Sequence, residues 1–495
     1  MIKPDSASRI AWLPDFIYAG SRFESGRALV CDASGTIVGL PRAEELRDEK
    51  RIRLANRAML PSMVNAHSHA FQRVLRGRTE YRTSDRDSFW TWREMMYSAA
   101  TRLTPEDVYD ASRMAFLEMA LSGITSVGEF HYLHHAPDGK PYDDPNLLAK
   151  EVIRAAGDVG LRIALLRVAY VRAGLRTEPN PRQTRFIEAD ADVYLQRVEE
   201  LVNELNRGDG SARLGRANSS KTDSMPEACV PTAWIGVAPH SVRAVPLEYL
   251  REVIGHANEL NLKVHMHLAE QPAEVSACVE EYGRTPVALL ETEGLLSERF
   301  TAVHAIHVTP KAMPAFARTG AMVCACPTTE RNLGDGVVPA DEYLKHGVPI
   351  CLGTDSHVQI DPFEEARELE YHLRLQRMER AILGARTPSS AGPAQSELAA
   401  FLFDCATVNG ARSIGSPNGT LDPGKPADFF TVDLSDPSIA GASPDDLLSS
   451  IMFSASRAAV REVAVGGKPI VSDGQHLIQE EVVERFFELQ KRLWE

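Results

Sequence analysis

The stretch MLPSMVNAHSHAFQRVLRGRTE (Met59–Glu80) is an apolar run that ends in two histidines, His67 and His69, with one small residue between them. On a strand, residues i and i+2 point to the same face, so both imidazoles converge on one spot. Seven further apolar, β-rich runs follow: ITSVGEFHYL, RIALLRVAY, AWIGVAPHS, KVHMHLAEQ, TAVHAIHV, AMVCACPTT and PICLGTDSH. Amphipathic helical stretches separate several of them, such as TPEDVYDASRMAFLEMALSG and PLEYLREVIGHANELN. Eight parallel strands with intervening helices make an α/β fold of the (β/α)8 barrel type, which carries its chemistry at the C-terminal ends of the strands. The ionisable residues fall late in each run, where that architecture needs them.

Outside the runs, the two ends of the chain share a β-like character. RALVCDASGTIVGL reads as a hairpin around Ser34-Gly35, and ADFFTVDL and VREVAVGGKPIVSDGQ resume the pattern beyond residue 426. The expected organisation is therefore a β-domain in two parts, residues 1–58 and 408–480, around a barrel at 59–407, with a C-terminal amphipathic helix at 481–495 that packs on the rest. Residues 207–228 are Gly/Ser-rich and weakly apolar, as expected of an exposed insertion before the fourth strand. Gly384–Gln395 reads as a surface loop, and no repeat of about 20–50 residues is present.

The composition, 44% hydrophobic and 25% charged over 495 residues, is that of a globular enzyme. The net charge of −14 argues against nucleic acid or a membrane surface as partner. No run reaches the roughly 18 apolar residues of a membrane helix, and the first residues lack the apolar core of a signal peptide, so a cytoplasmic location is expected. The seven scattered cysteines read as buried free thiols of a reducing compartment.

The strand ends supply His67 and His69; then His265, His267 and Glu270; then His304 and His307; and finally Asp355 and His357. One histidine on a strand is usually a satisfied structural residue. Three imidazoles and a carboxylate at barrel strand ends suit a hydrolytic Zn²⁺ that keeps a position for water.

NAHSHAF, HMHLAEQ, VHA and GTDS together resemble the amidohydrolase superfamily, over nearly the whole chain. The resemblance implies a TIM-like barrel with a small β-sandwich built from both chain ends. It implies one Zn²⁺, with Fe²⁺ also accepted, held by His67, His69, His267 and Asp355, and catalytic roles for Glu270, His304 and Asp355. His265, His307 and His357 read as structural. No lysine stands late in AWIGVAPHS, where binuclear relatives carry one, so a single metal is expected.

The H-x-x-E spacing resembles the deaminase branch. HSHAFQRVLRGRTE, DSFWTWREMMY, GEFHYLHH, APHSVRAV and CPTTERNLGDG are similar to the formimidoylglutamate deiminase family of histidine degradation. That similarity implies conversion of N-formimino-L-glutamate to N-formyl-L-glutamate and ammonia by a homodimer. Gln72, Arg93, Tyr132, His240 and Arg243 would hold the substrate. The residue types agree, because guanidinium forks suit the carboxylates of a dicarboxylate amidine. Two alternatives stay open: a deaminase or chlorohydrolase acting on a purine, pyrimidine or S-adenosylhomocysteine-like ring, and a non-catalytic barrel serving as a binding scaffold.

Overall fold

A computed structural model of the chain describes residues 9–81, 89–174, 177–178, 180–206, 233–384 and 395–495. The first strands are β1 (Ile10–Ala19), β2 (Arg22–Ser25), β3 (Leu29–Cys31), β4 (Ile37–Gly39) and β5 (Lys50–Pro61). The next eight are β6 (Met63–Ser68), β7 (Ile124–His131), β8 (Arg162–Ala169), β9 (Ala233–Pro239), β10 (Val264–Leu268), β11 (Phe300–His304), β12 (Met322–Ala325) and β13 (Ile350–Leu352). The last are β14 (Phe429–Asp433), β15 (Val460–Val465), β16 (Lys468–Ser472) and β17 (Gln475–His476).

Strands β6 to β13 pair in chain order, all parallel, and each run singled out in the sequence supplies one of them. Every residue of β6, β7 and β8 is buried, the mark of parallel strands covered by helices on one face and by the barrel interior on the other. The seam between first and last strands is closed by backbone hydrogen bonds. Thr354 and Asp355 donate to the carbonyl of His67 at 3.1 and 3.0 Å, and His69 donates to the carbonyl of Asp355 at 3.1 Å. Gly353 permits this approach, since a Cβ there would lie 2.6 Å from that of His67.

The outer helices carry their own stop and start signals. Pro105–Leu121 begins with a capping box: Thr104 accepts from the amide of Asp107 at 3.2 Å, and Asp107 accepts from the amide of Thr104 at 2.9 Å. The C-terminal helix, Gln479–Trp494, buries Val482, Phe486, Leu489 and Leu493, one stripe at helical spacing. Arg113 of the capped helix donates to Glu481 at 2.9 Å, and Arg492 pairs with Asp107, so the tail helix is docked on its neighbour.

Strands from both chain ends form one nine-stranded mixed sheet in the order β17-β16-β15-β14-β5-β1-β3-β4, with β2 paired to β1. The sheet curls so that its two halves enclose Trp12, Leu29, Ile37 and Phe429. Ile37 donates to the carbonyl of Lys425 and Ala427 to that of Gly35, both at 2.8 Å. Gly35, at φ +79°, passes so close to Gly466 that a Cβ would meet its carbonyl oxygen. The division expected at 58/59 falls inside β5, which pairs through Pro61 with β14 before the chain enters the barrel at Met63. At the other end, Gly410 of the helix Val408–Ile414 still packs against Val64 of β6.

Residues 207–228 and nearly all of the loop at 384–395 lie outside the described residues. Among the described residues no helix is long and apolar enough to cross a membrane, and all six cysteines are free and buried.

One ion pair ties the sheet to the bottom of the barrel. Arg162, the first residue of β8, donates to both oxygens of Asp428 at 2.7 and 3.1 Å, and the amide of Gly466 donates to Asp428 at 2.6 Å. Both side chains are essentially inaccessible to water. Removing one partner strands a buried charge, so Asp428→Ala is expected to cost about 3–5 kcal/mol, measured by denaturant unfolding. Arg162→Met combined with Asp428→Leu is expected to recover most of that loss.

Candidate active site

At the top of the barrel, His67, His69, His267 and Asp355 bring one ligand atom each within 4.8 Å of one another, all of them buried. His67 and His69 come from the end of β6, His267 from β10 and Asp355 from the turn after β13. Asp355 Oδ1 lies 3.4 Å from His67 Nε2 and 3.1 Å from His69 Nε2, and the Nε2 atoms of His67 and His267 face each other at 3.1 Å. His69 Nδ1 donates to the carbonyl of Phe130 at 2.9 Å, which leaves its Nε2 lone pair directed at the cluster.

Burial pushes the pKa of His67 down to about 3 and that of His267 well below its usual value, so both rings are neutral. Burial also opposes the charge of Asp355, yet the imidazoles of His67 and His69 hold its carboxyl well below the usual range. Neutral imidazole nitrogens converging on a carboxylate are the donor set of a divalent metal, and the residues present fit one.

Beside this cluster stand Glu270, two residues past β10, and His304, the last residue of β11. His304 Nε2 lies 3.7 Å from Glu270 Oε1 and 3.8 Å from Asp355 Oδ2. Its Nδ1 bonds Glu330 Oε1 at 3.1 Å, and the same oxygen accepts the Cys326 amide at 2.8 Å. Burial disfavours a charged His304, but Glu270, Glu330 and Asp355 outweigh it and raise its pKa to about 10. Burial, reinforced by Asp355, raises the pKa of Glu270. The backbone here is under tension: Ala269, His304, Ala305, Asp355 and His357 all adopt positive φ, a conformation concentrated at functional sites.

A cavity opens onto His267, Glu270, His304 and Asp355. Gln72, Arg93, Tyr132, His240 and Arg243, the five substrate candidates, all line it. Gln72 donates to the Tyr132 hydroxyl at 2.7 Å and keeps its carbonyl oxygen unpartnered. Arg93, from the helix Phe89–Ala100, stacks 4.4 Å from the Trp90 ring centroid, while its Nε and Nη1 are buried with no partner. Burial, together with the charge of Arg243, weakens its hold on its proton. The wall is more aromatic than expected for a pocket built around two arginines, with Phe89, Trp92, Tyr97, Tyr170 and Phe186 joining Tyr132.

The amidohydrolase family model matches residues 58–470. The chain belongs to the amidohydrolase family. This amidohydrolase is 37% identical over 433 residues to formimidoylglutamate deiminase of Pseudomonas aeruginosa, covering 87% of this chain and 88% of that one. It is 28% identical over 472 residues to 5-methylthioadenosine/S-adenosylhomocysteine deaminase of Pyrococcus abyssi, covering 95% and 96% of the two chains. The crystal structure of an amidohydrolase from Brucella melitensis superposes with a TM-score of 0.83 at 31% identity, covering 99% of this chain and 100% of that one.

The remaining strand-end histidines of the amidohydrolase have protein partners. His265 bonds the Ser413 carbonyl at 3.2 Å, His307 the Asp335 carbonyl at 2.9 Å, and His357 the hydroxyls of Ser68 and Thr354 at 3.0 Å. Sequence reasoning passed over two carboxylates. Glu330 orients His304. Glu129, on β7, takes the Ala70 amide at 2.7 Å and the Ser68 hydroxyl at 2.5 Å, bracketing His69, and burial raises its pKa to about 7. Their one signal was a glutamate late in GEF and another just inside a helix in CPTTE. Glu330→Ala leaves the Cys326 amide and the His304 ring without their acceptor. It is expected to cost about 1–3 kcal/mol for each group in denaturant unfolding, with Glu330→Gln milder because its carbonyl still accepts one bond.

Proposed function

We propose that this amidohydrolase hydrolyses the amidine of N-formimino-L-glutamate, giving N-formyl-L-glutamate and ammonia. The observation that carries the reading is Arg93. A half-buried guanidinium whose Nε and Nη1 are shut off from water without a partner, next to the like charge of Arg243, is costly unless an anion enters. A ligand with two carboxylates supplies that anion, and the 37% identity to a formimidoylglutamate deiminase agrees.

His67, His69, His267 and Asp355 would hold a single divalent ion, Zn²⁺ by preference, although the same donors accept Fe²⁺. Bound there, the ion supplies Lewis acidity that brings the pKa of a water down to about 7. Asp355 takes a proton from the attacking water at Oδ2, the oxygen that faces His304 rather than His67 and His69. Glu270, whose pKa is raised, delivers a proton to the imine nitrogen as the C–O bond forms. His304, protonated and anchored by Glu330, donates toward the oxygen on the tetrahedral carbon. The hydroxyl proton of the tetrahedral carbon returns to Glu270 as the C=O bond forms, the proton on Asp355 passes to the leaving nitrogen, and ammonia departs as the C–N bond breaks. Arg93 and Arg243 hold the carboxylates, with Gln72, Tyr132 and His240 supplying polar contacts.

The aromatic wall favours one competing substrate class, a purine ring stacked between the side chains. Ammonia release from N-formimino-L-glutamate, guanine, cytosine and S-adenosylhomocysteine separates the two. Release from the first alone is expected, and release only from a ring substrate sinks the proposal. The purified protein is expected to carry one transition-metal ion per chain and to lose activity on chelation. Glu270→Gln should keep the metal while kcat falls about 10²–10⁴-fold. Arg243→Ala should act chiefly on KM, and an unchanged KM removes that residue from the substrate.

A further inference from the structure

The cavity wall that carries Arg93 and Arg243 also carries two phenols with no assigned role. Tyr97 and Tyr170 are each 2% exposed and both line the cavity. Behind them sits Gln183, 1% exposed, at the end of the 3₁₀ turn Pro181–Gln183. Its side-chain nitrogen lies 2.7 Å from the Tyr97 hydroxyl oxygen and 2.6 Å from that of Tyr170, and donates to both.

A carboxamide nitrogen has two hydrogens. Gln183 therefore commits both of them to the phenols, and each phenol oxygen is an acceptor at that contact. Each still has a hydrogen of its own to place. The two hydroxyls are close neighbours, and at most one of these hydrogens can pass between them. Apart from that exchange, no described residue accepts from either phenol. One O–H donor is left over in a buried space that it shares with the unpartnered Nε and Nη1 of Arg93. The unpaired groups on the Arg93 and phenol side of this corner are donors, while the Gln183 Oε1 behind the phenols is a buried acceptor without a partner.

We infer that Tyr97 and Tyr170 complete a carboxylate subsite with Arg93 and Arg243, and that Gln183 is the positioning residue that turns a phenol hydrogen toward the ligand. The inference rests on the dicarboxylate reading above and says how the second acid is told from its neutral relatives. A phenol hydrogen beside the two free guanidinium nitrogens of Arg93 accepts a carboxylate at both oxygens. A carboxamide would set its own N–H groups against them, and an aromatic ring would leave the donors unmet. Gln183 acts through orientation, because with its carbonyl turned to the phenols both hydroxyls would donate inward and none would face the cavity.

The test uses metal-loaded enzyme carrying Tyr97→Phe, Tyr170→Phe, both together, or Gln183→Leu. Calorimetry reads the affinity for the product, N-formyl-L-glutamate, and steady-state assays read kcat and KM for N-formimino-L-glutamate. The double substitution is expected to weaken product binding and raise KM by about 10–100-fold, with kcat within about 3-fold. Gln183→Leu should move KM in the same direction by a smaller factor, again sparing kcat. Of N-formyl-4-aminobutyrate and N-formyl-2-aminobutyrate, each short of one carboxylate, one should bind the double variant and wild type alike.

A double variant with normal metal content and denaturation midpoint that binds the product within about 2-fold of wild type overturns the phenol subsite. It leaves the deiminase reading intact. Wild type that neither turns over the substrate nor binds the product overturns both. If the double variant is unstable, the single variants decide: a KM change below about 2-fold in each is the overturning result.

Discussion

The barrel seam fixes almost everything else. Where the first and last strands meet, the carbonyl of His67 accepts from Thr354 and Asp355, and the carbonyl of Asp355 accepts from His69. The bonds that close the sheet are thus made by the backbone of the same residues whose side chains form the polar cluster. Closing the fold and assembling the cluster are one event. Gly353 makes the contact sterically possible, and the positive φ of Asp355 is sustained because these bonds over-determine its position.

Around that seam the charges are sorted. His304 is enclosed by Glu270, Glu330 and Asp355, so the deep side of the cavity is rich in carboxylates. The side bearing Arg93 and Arg243 lacks a direct carboxylate partner for the free nitrogens of Arg93. A molecule with a basic C=N group at one end and acids at the other matches both sides at once. Neither half alone distinguishes such a ligand from many others; the juxtaposition does.

The strands and the cluster were legible in the sequence because their signals are local. An H-x-H pair, an H-x-x-E spacing and a GTDS turn each fall on one short element, where pleat and strand-end geometry decide which way a side chain points. The contacts made across the fold were not legible. Gln183 meets Tyr97 and Tyr170 from a separate turn, and Glu330 meets His304 from the helix after the next strand. No periodicity encodes such meetings. The first domain junction, expected at 58/59, has no local marker for a related reason. β5 continues as an apolar strand straight toward β6, with only Ser62 between them, so composition does not change where the sheet changes.

The pairing of β5 with β14 also bears on how the protein is made. Pro61 lies opposite Phe429, so the strand that leads into the barrel lacks one neighbour until residues far downstream have emerged from the ribosome. At about 5–20 residues per second that delay is roughly twenty to seventy seconds. Throughout it, the Arg57–Pro61 edge of β5 waits without the strand that covers it in the finished fold.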